Sequence, residues 1–125
     1  MSTLRCTNLQ DTSGSNSSTT EQIASGRAKA WVNFNGTSTV AIRANFNVNS
    51  ITDNGTGNYN VNFTTAMADT NYATIMTGSS DAENNTPMQY GMPTTTPTAG
   101  SVKIYTASDN TVYRDHVVVN VAVFR

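Results

Sequence analysis

His116 is the only histidine in the chain, and Asp115 directly precedes it. A histidine and a carboxylate act as a general base and its orienting partner when both side chains converge on a nucleophile. Neighbouring residues of a strand point to opposite faces of a sheet, so we expect these two side chains to diverge. We therefore interpret His116 as a solvated or interface residue at the start of a strand. Cys6, the single cysteine, has no histidine near it in sequence, and we expect it to make a small apolar contact.

Paired carboxylates are the other candidates for chemistry. Asp81 and Glu83 lie two residues apart in a polar segment, and clustered oxygen ligands are what calcium requires. The same pair, or Asp109 with Asp115, would have to flank a cleft in a glycan-cleaving hydrolase. Both pairs lie in segments that we expect to be loops. The sequence therefore predicts no catalytic residue, no metal site and no cofactor.

Aromatic side chains offer binding rather than catalysis. Trp31 lies on the strand face opposite Val32, so it either packs against a neighbouring element or subunit, which we favour, or provides a stacking platform for a sugar. A segment rich in proline, residues 79–100, holds Met88, Tyr90 and Met92. Because loops carry binding residues and Met and Tyr are enriched in interfaces, we expect this segment to contact a receptor, together with Asp81 and Glu83.

Alternation of apolar and polar residues from Ala28 onward predicts strands that would position these side chains. Ala28 to Phe34 has period two, Asn35-Gly36 is typical of a tight hairpin turn, and Asp53 to Gly57 is a second turn signal. We expect Tyr72, Ile75 and Met76 to be buried. The spacing predicts about six to seven strands in an all-β, antiparallel, jelly-roll-like β-sandwich over residues 27–125.

The last predicted strand, Tyr113 to Phe124, is apolar on both faces. Such a strand is central in its sheet, or lies between a core and a subunit contact. We therefore expect a trimer interface formed by Trp31, Val117, Val119, Val121 and Val123.

Residues 1–26 differ from the rest and predict an extended N-terminal arm. Ser18 to Glu21 fits a capping box, and Gly26 could end a helix of two turns at most. Such a helix has too few apolar residues to stand alone, so a neighbouring chain would have to cover it. We expect the arm to attach to its partner through Leu4, Cys6, Leu9 and Ile23.

Composition excludes several classes of protein. Charged residues are 12% of the 125 residues and the net charge is −1, which leaves no basic excess to neutralise phosphates and argues against nucleic-acid binding. We expect no membrane insertion, because no apolar run approaches the ~20 residues that cross a bilayer. One cysteine allows no intrachain disulfide and fits synthesis in a reducing cytosol. Near-zero net charge is compatible with an oligomer.

Most of the chain resembles modules of bacteriophage tail-fibre and virion appendage proteins, including those of marine phages that infect cyanobacteria. The resemblance is carried by AKAWVNFNG (residues 28–36), SITDNGTG (50–57) and VNFTTAM (61–67), and by the ending HVVVNVAVFR (116–125). The opening STLRCTNLQDTSG (2–14) is similar to the start of many such proteins. Residues 79–98 resemble nothing in that group.

This resemblance implies a virion structural protein without catalytic residues, made in the cytoplasm of the host bacterium and assembled as a homotrimer. A short tail-fibre subunit that attaches by its arm to other virion proteins and contacts a glycan or receptor of the host surface is one form. A capsid decoration, cement or head-fibre protein of similar fold is the alternative.

Overall fold

The computed structural model describes residues 1–3, 5–79, 89–91, 97–108 and 112–125. Within them lie ten strands and one short helix, and every strand pairing is antiparallel, so the chain is all-β as expected. In chain order the elements are β1 (Asn8–Gln10), β2 (Ser17–Thr19), α1 (Thr20–Gly26), β3 (Ala30–Asn35), β4 (Ala41–Phe46), β5 (Val48–Asp53), β6 (Asn58–Phe63), β7 (Ala73–Gly78), β8 (Gln89–Gly91), β9 (Ser101–Ala107) and β10 (Val119–Phe124).

Two four-stranded sheets make up the part of the chain after the arm. The first sheet has the order β4-β3-β10-β7, and the second sheet has the order β5-β6-β9-β8. These eight strands exceed the six or seven expected, because the segment predicted to be irregular contains β8, which pairs with β9. The central position of β10 agrees with the apolar character of both of its faces.

One hydrophobic core lies between the sheets. The inward-facing residues alternate along each central strand with outward-facing ones, as period two requires. From the first sheet the core takes Ala30, Val32, Phe34, Met76, Val119, Val121 and Val123, and from the second it takes Val48, Tyr59, Val61, Phe63, Val102 and Ile104, with Met67 and Tyr72 from connecting segments. Burial of Tyr72 and Met76 confirms two of the three positions expected here, whereas Ile75 is 56% exposed because it points to the outer face of β7.

The turn between β3 and β4 is longer than the two-residue hairpin that Asn35-Gly36 suggested. Residues 36–40 form it, the left-handed residue is Ser38 (φ 56°), and the Asn35 amide donates to the carbonyl oxygen of Thr37 at 2.8 Å. Gly36 is needed for another reason. A Cβ there would lie 2.7 Å from the Tyr59 hydroxyl oxygen, so a glycine lets the turn pack this closely against Tyr59. Asp53 to Gly57 is a turn as predicted, with positive φ at Gly55 and Gly57.

Asn47 marks the point where the chain leaves the first sheet for the second. Its backbone is left-handed (φ 54°), which Asn tolerates better than most residues. Its side-chain amide donates to the carbonyl oxygens of Lys29 at 3.0 Å and Thr65 at 3.1 Å, and its Oδ1 accepts from the Thr65 N–H at 2.8 Å. One side chain therefore ties the crossing to the start of β3 and to the segment after β6.

The final strand begins at Val119 rather than at Tyr113. Tyr113 makes only an isolated bridge to Ala107, and the next residues bend away from the ladder: the Arg114 N–H donates to Thr106 and the carbonyl of His116 accepts from Gly36. These backbone groups are therefore bonded to two other segments, and they are not available to extend β10 back to Tyr113.

The N-terminal arm forms a β1–β2 hairpin followed by α1. Thr19 is the N-cap, since its hydroxyl accepts from the Gln22 N–H at 3.0 Å and Gln22 Oε1 accepts from the Thr19 N–H at 2.9 Å. The capping box is thus formed by Thr19 and Gln22, one residue later than Ser18 to Glu21. The seven-residue helix ends at Gly26, as expected.

Candidate functional site

A row of apolar side chains crosses the outer face of the first sheet. Strand register places Phe46 opposite Trp31, Trp31 opposite Ala122, and Ala122 opposite Ile75, so the row spans all four strands. Phe46 is 54% exposed, Trp31 40% and Ile75 56%. Singly exposed apolar residues are ordinary, but a contiguous row of three large ones indicates a contact surface.

A groove opens where the row narrows at Ala122. Trp31 on β3 and Ile75 on β7 stand two strands apart, about 10 Å by ordinary strand spacing, with the small side chain of Ala122 between them. The groove has a volume of about 280 Å³. Its lining residues are Trp31, Val32, Asn33, Ile75, Met76, Thr77, Asn120, Val121 and Ala122, and none of these carries a charge. We call this site the Trp31 groove.

A row of polar side chains lies beside the apolar row. Each of its members is two residues away, on the same strand, from a member of the apolar row. Asn33 pairs in register with Asn120, and Asn120 pairs with Thr77. The Asn33 amide donates to Oδ1 of Asn120 at 2.5 Å, and the Asn120 amide donates to the Thr77 hydroxyl at 3.2 Å. The three side chains therefore form one oriented hydrogen-bonded chain along the edge of the Trp31 groove.

The outer face of the second sheet has a different composition. Asn58, Asn60 and Asn62 project from β6, and the Asn62 amide donates to the hydroxyls of Ser50 at 3.1 Å and Thr52 at 2.9 Å. On this face Lys103 lies 5.7 Å from the Tyr105 ring centroid. Tyr105 also stacks on Tyr113 with their ring centroids 5.0 Å apart, so the described part of this face combines a polar ladder with an aromatic pair.

A buried polar cluster closes one end of the core, and we call it the Tyr59 cluster. The Tyr59 hydroxyl lies 2.5 Å from Oδ1 of Asp115 and 3.0 Å from the carbonyl oxygen of Gly36. The Gly57 N–H donates to the same carboxylate oxygen at 2.7 Å. The Thr106 hydroxyl donates to the carbonyl oxygen of Arg114 at 2.6 Å. Two turns, β9 and the segment before β10 are joined through these bonds.

The chemistry of the Tyr59 cluster is that of a structural joint. Burial, followed by the hydrogen bond to the Asp115 carboxylate, raises the pKa of Tyr59 far above its ordinary value, so the hydroxyl stays protonated. A phenol held in that form is a hydrogen-bond donor and not a nucleophile. The oxygen that it faces is shared with the backbone of Gly57, which leaves that carboxylate oxygen occupied.

His116 is buried inside the chain, at 1% exposure, and is neither the solvated nor the interface residue that the sequence suggested. Its Nε2–H donates to the carbonyl oxygen of Ala107 at 3.3 Å, whereas the carboxylate of Asp115 is bound to Tyr59 and Gly57. The two neighbours thus reach different partners. Among the residues that the structure describes, no three of His, Cys, Asp and Glu lie close enough together to hold a metal ion.

The arm residues expected to make attachment contacts are open to solvent. Cys6 is exposed, Leu9 is 59% exposed and Ile23 43% exposed, while Leu4 lies outside the described residues. A groove of about 390 Å³ lies where the arm joins the first sheet. Its lining includes Arg27, Lys29 and Phe46, and the Lys29 ammonium donates to the carbonyl oxygen of Ala24 at the end of α1.

Three of the five residues expected at a trimer interface are corrected by the structure. Val119, Val121 and Val123 are 0%, 3% and 1% exposed and pack inside the chain's own core, so their side chains cannot contact another copy. Only Trp31 and Val117, 40% and 42% exposed, remain on the surface. Periodicity had placed the valines on one face correctly, but it does not tell which face points inward.

The structure reaches only one of the positions expected to contact a receptor. Tyr90 lies in β8 and pairs with Thr106 of β9. Asp81, Glu83, Met88 and Met92 lie outside the described residues, so the receptor contact and the calcium alternative both stay predictions there.

Sequence reasoning missed most of the Trp31 groove. It singled out Trp31 but not Asn33, Asn120, Thr77 or Ile75, because their proximity depends on a register between strands far apart in sequence. The period-two pattern does place Asn33 on the same face as Trp31, and Asn120 on the same face as Ala122. The pattern does not show that β10 pairs with both β3 and β7, which is what brings these residues together.

Comparison of the chain with protein-family models, with curated proteins and with solved structures finds no match. Within the described residues, no helix is both long and apolar enough to span a bilayer.

Proposed function

We propose that this chain is a non-enzymatic structural subunit of a bacteriophage virion. In this proposal it forms a short, homotrimeric tail-fibre or appendage that attaches through its N-terminal arm to another virion protein and contacts the host surface. The proposed form of residues 27–125 is a jelly-roll-like β-sandwich, since two antiparallel sheets share one core and the chain crosses repeatedly from one sheet to the other.

The observation that carries the proposal is an arm with secondary structure but no core of its own. Helix α1 has seven residues and buries none of them, and both strands of the β1–β2 hairpin are exposed along their length. Helices this short and isolated two-stranded hairpins are marginal in water. An arm that keeps this structure needs another surface to cover Leu9 and Ile23.

A homotrimer supplies that surface if three arms meet around a common axis. Cyclic symmetry lets each copy offer the same apolar residues to its neighbours and closes the assembly. With three valines inside the core, we assign the contact to Leu9 and Ile23, with Val117 as the candidate on the domain. The low net charge of −1 provides little self-repulsion against such an assembly.

Sedimentation equilibrium of the full chain tests the assembly. We expect the mass of three copies of the 13.4 kDa chain for the wild type. The double variant Leu9→Ser/Ile23→Ser should sediment as single copies. Ile75→Ser is the matched control, because it removes an exposed isoleucine from the domain and should leave the trimer intact. A single-copy mass for the wild type would contradict the trimer.

Antibody labelling of intact phage particles in the electron microscope tests the virion assignment separately. Label on the tail or its fibres is the expected result. Label confined to the head would instead make the chain a capsid decoration or head-fibre protein. Particles that carry no label, from lysates that contain the chain, would overturn the assignment.

A further inference from the structure

We propose that the Trp31 groove binds a neutral saccharide. The inference rests on the proposed contact with the host surface and names its ligand and its site. Three features carry it: an exposed indole as one wall, an oriented chain of polar side chains along one edge, and a lining without charge.

The indole of Trp31 provides a stacking surface of the right kind. The C–H face of a pyranose is apolar and packs well on an aromatic ring. Trp31 is 40% exposed, so part of its surface is covered by neighbouring strands while the rest faces solvent. Ala122 beside it leaves room for a ring above the sheet, and Ile75 forms the opposite wall. The spacing between those walls, about 10 Å, accommodates one sugar ring lying on the sheet.

The polar chain beside the indole is prepared to bind hydroxyl groups. Asn33 donates to Asn120 and Asn120 donates to Thr77, which fixes the rotamers of all three side chains. The chain still has unused capacity at its ends: Oδ1 of Asn33 can accept, and the Thr77 hydroxyl proton can be donated. Each amide also keeps a second N–H. Sugar hydroxyls both donate and accept, so they match this mixture of free groups.

Charge and area favour a small neutral ligand over a second copy of the chain. None of the described residues that line the groove is charged, so the site has no cation to pair with a carboxylate, phosphate or sulfate group. The three large side chains of the apolar row expose on the order of 300 Å² together, and Phe124, on the same face of β10 as Ala122, is only partly exposed. A stable protein interface needs about 800 Å² from each partner. A subunit contact here would also bury the free ends of the polar chain, which costs free energy unless the partner satisfies them.

Tryptophan fluorescence provides a direct assay, because Trp31 is the only tryptophan in the chain. The probes are neutral oligosaccharides of glucose, mannose, galactose and N-acetylglucosamine, each titrated to about 10 mM, since single-ring contacts give millimolar affinities. Polygalacturonate serves as the acidic comparison. We expect at least one neutral probe to shift the emission of Trp31 to shorter wavelength and to saturate, and the acidic probe to have no effect.

Variants locate the binding by calorimetry, which does not depend on the fluorophore. Trp31→Ala should abolish binding of the neutral probe, Trp31→Phe should retain it with weaker affinity, and Asn120→Ala should weaken it about 10-fold through loss of the central member of the polar chain. Asn60→Ala is the control: it removes an outward amide from the second sheet and should leave affinity unchanged. Thermal unfolding of each variant confirms that it is folded.

Several outcomes would overturn the inference. They are the absence of binding by every neutral probe, binding that Trp31→Ala leaves intact, stronger binding of the acidic probe, and a concentration-dependent self-association that Trp31→Ala removes. The first three bear neither on the arm nor on the location in the particle, whereas the fourth would move the subunit contact from the arm to the Trp31 groove. Failure of the saccharide inference can therefore be told from failure of the virion assignment. The first would leave a virion subunit without a saccharide site, and the second would leave a saccharide-binding chain outside the virion.

Discussion

The Tyr59 cluster and the polar chain of the Trp31 groove use similar side chains in opposite surroundings. In the Tyr59 cluster, the buried hydroxyl of Tyr59 and the half-buried carboxylate of Asp115 are bonded to buried backbone groups of Gly36 and Gly57, and the shared oxygen already has two donors. In the groove, the amides of Asn33 and Asn120 are half-buried and the ends of their chain face solvent.

This difference separates two uses of polar residues. A buried group that loses its partner leaves another buried group unsatisfied, so the cluster should be sensitive to substitution in stability. An exposed group that loses its partner can bond water instead, so the groove should tolerate substitution and lose only binding. Single substitutions in each region test that division.

Gly57→Ala should be the most damaging single change. A Cβ at Gly57 would overlap the carbonyl oxygen of Thr106 and would lie 2.9 Å from the Arg114 nitrogen, and the backbone has φ of +63°. We expect a loss of more than about 3 kcal/mol in the free energy of unfolding, because steric overlap adds to the unfavourable φ. Urea denaturation followed by circular dichroism measures it.

Gly55→Ala provides the matched control for that experiment. Gly55 lies in the same turn with φ of +114°, but a Cβ there would meet nothing within 4 Å. We expect a loss of about 1–2 kcal/mol from backbone conformation alone. Equal losses at the two glycines would show that the close approach around Gly57 contributes nothing.

Tyr59→Phe should be the next most damaging change. It keeps the edge-to-face contact with Phe34 but removes the donor to Asp115 and Gly36. We expect a loss of about 1–3 kcal/mol at neutral pH, since buried acceptors remain without their donor. Tyr113→Phe, at an exposed position, should change stability little and is the control.

The pH dependence of that variant gives a second readout. The pKa of Tyr59 is raised in the folded chain, so the unfolded chain loses the phenolic proton first as pH rises above about 10. The stabilising contribution is complete below that pH and declines above it. Wild-type protein should therefore lose stability more steeply than Tyr59→Phe between about pH 9 and pH 11. Parallel slopes would contradict the burial of the hydroxyl in its bonded form.

Trp31→Ala should cost much less stability. Trp31 lies on the outer face, where cross-strand contacts with Phe46 contribute about 1 kcal/mol or less. Val32→Ala, one residue along the same strand, removes two methyl groups from a side chain that is 2% exposed and should cost about 2 kcal/mol. Thermal and urea unfolding of this pair compare the two faces of β3 directly. A larger loss at Trp31 than at Val32 would mean that the groove is part of the core.

The sequence was sufficient for the all-β class and for much of the core. Alternation from Ala28 onward placed the core side chains of β3, β6 and β10 on one face of each strand, because period two follows from strand geometry alone, but it assigned those of β10 to a subunit contact. Ile75 shows the limit of this reasoning. Ile75 and Met76 are adjacent and cannot share a face, and only the pairing with β10 shows which of them points inward.

The Tyr59 cluster was beyond sequence reasoning for a related reason. Its members come from two turns, β9 and the segment before β10, and nothing local links Tyr59 to Asp115, 56 residues away. His116 was expected to be a solvated or interface residue at the start of a strand. Its burial follows from the bend before Val119, where the carbonyl of His116 accepts from Gly36.

Substitution of Asp69 should have the smallest effect on stability, and it measures how much an exposed polar contact contributes. Its carboxylate accepts from Nε of Arg125 at 2.8 Å and from Nη2 of the same guanidinium. These hydrogen bonds lower the pKa of Asp69 to about 2.

A carboxyl whose pKa is lower in the folded chain than in the unfolded chain stabilises the fold at pH values above the unfolded pKa, near 4. This contribution disappears as pH falls through about 2. Because both side chains are open to solvent, Asp69→Asn should lower Tm by no more than about 2 °C near pH 6 and by clearly less near pH 2, where about half of the folded-state carboxyl is protonated. An equal decrease at both pH values would mean that Asp69 acts through packing rather than charge. A decrease as large as that of Tyr59→Phe would remove the distinction between buried and exposed polar contacts on which the assignment of the Trp31 groove to binding depends.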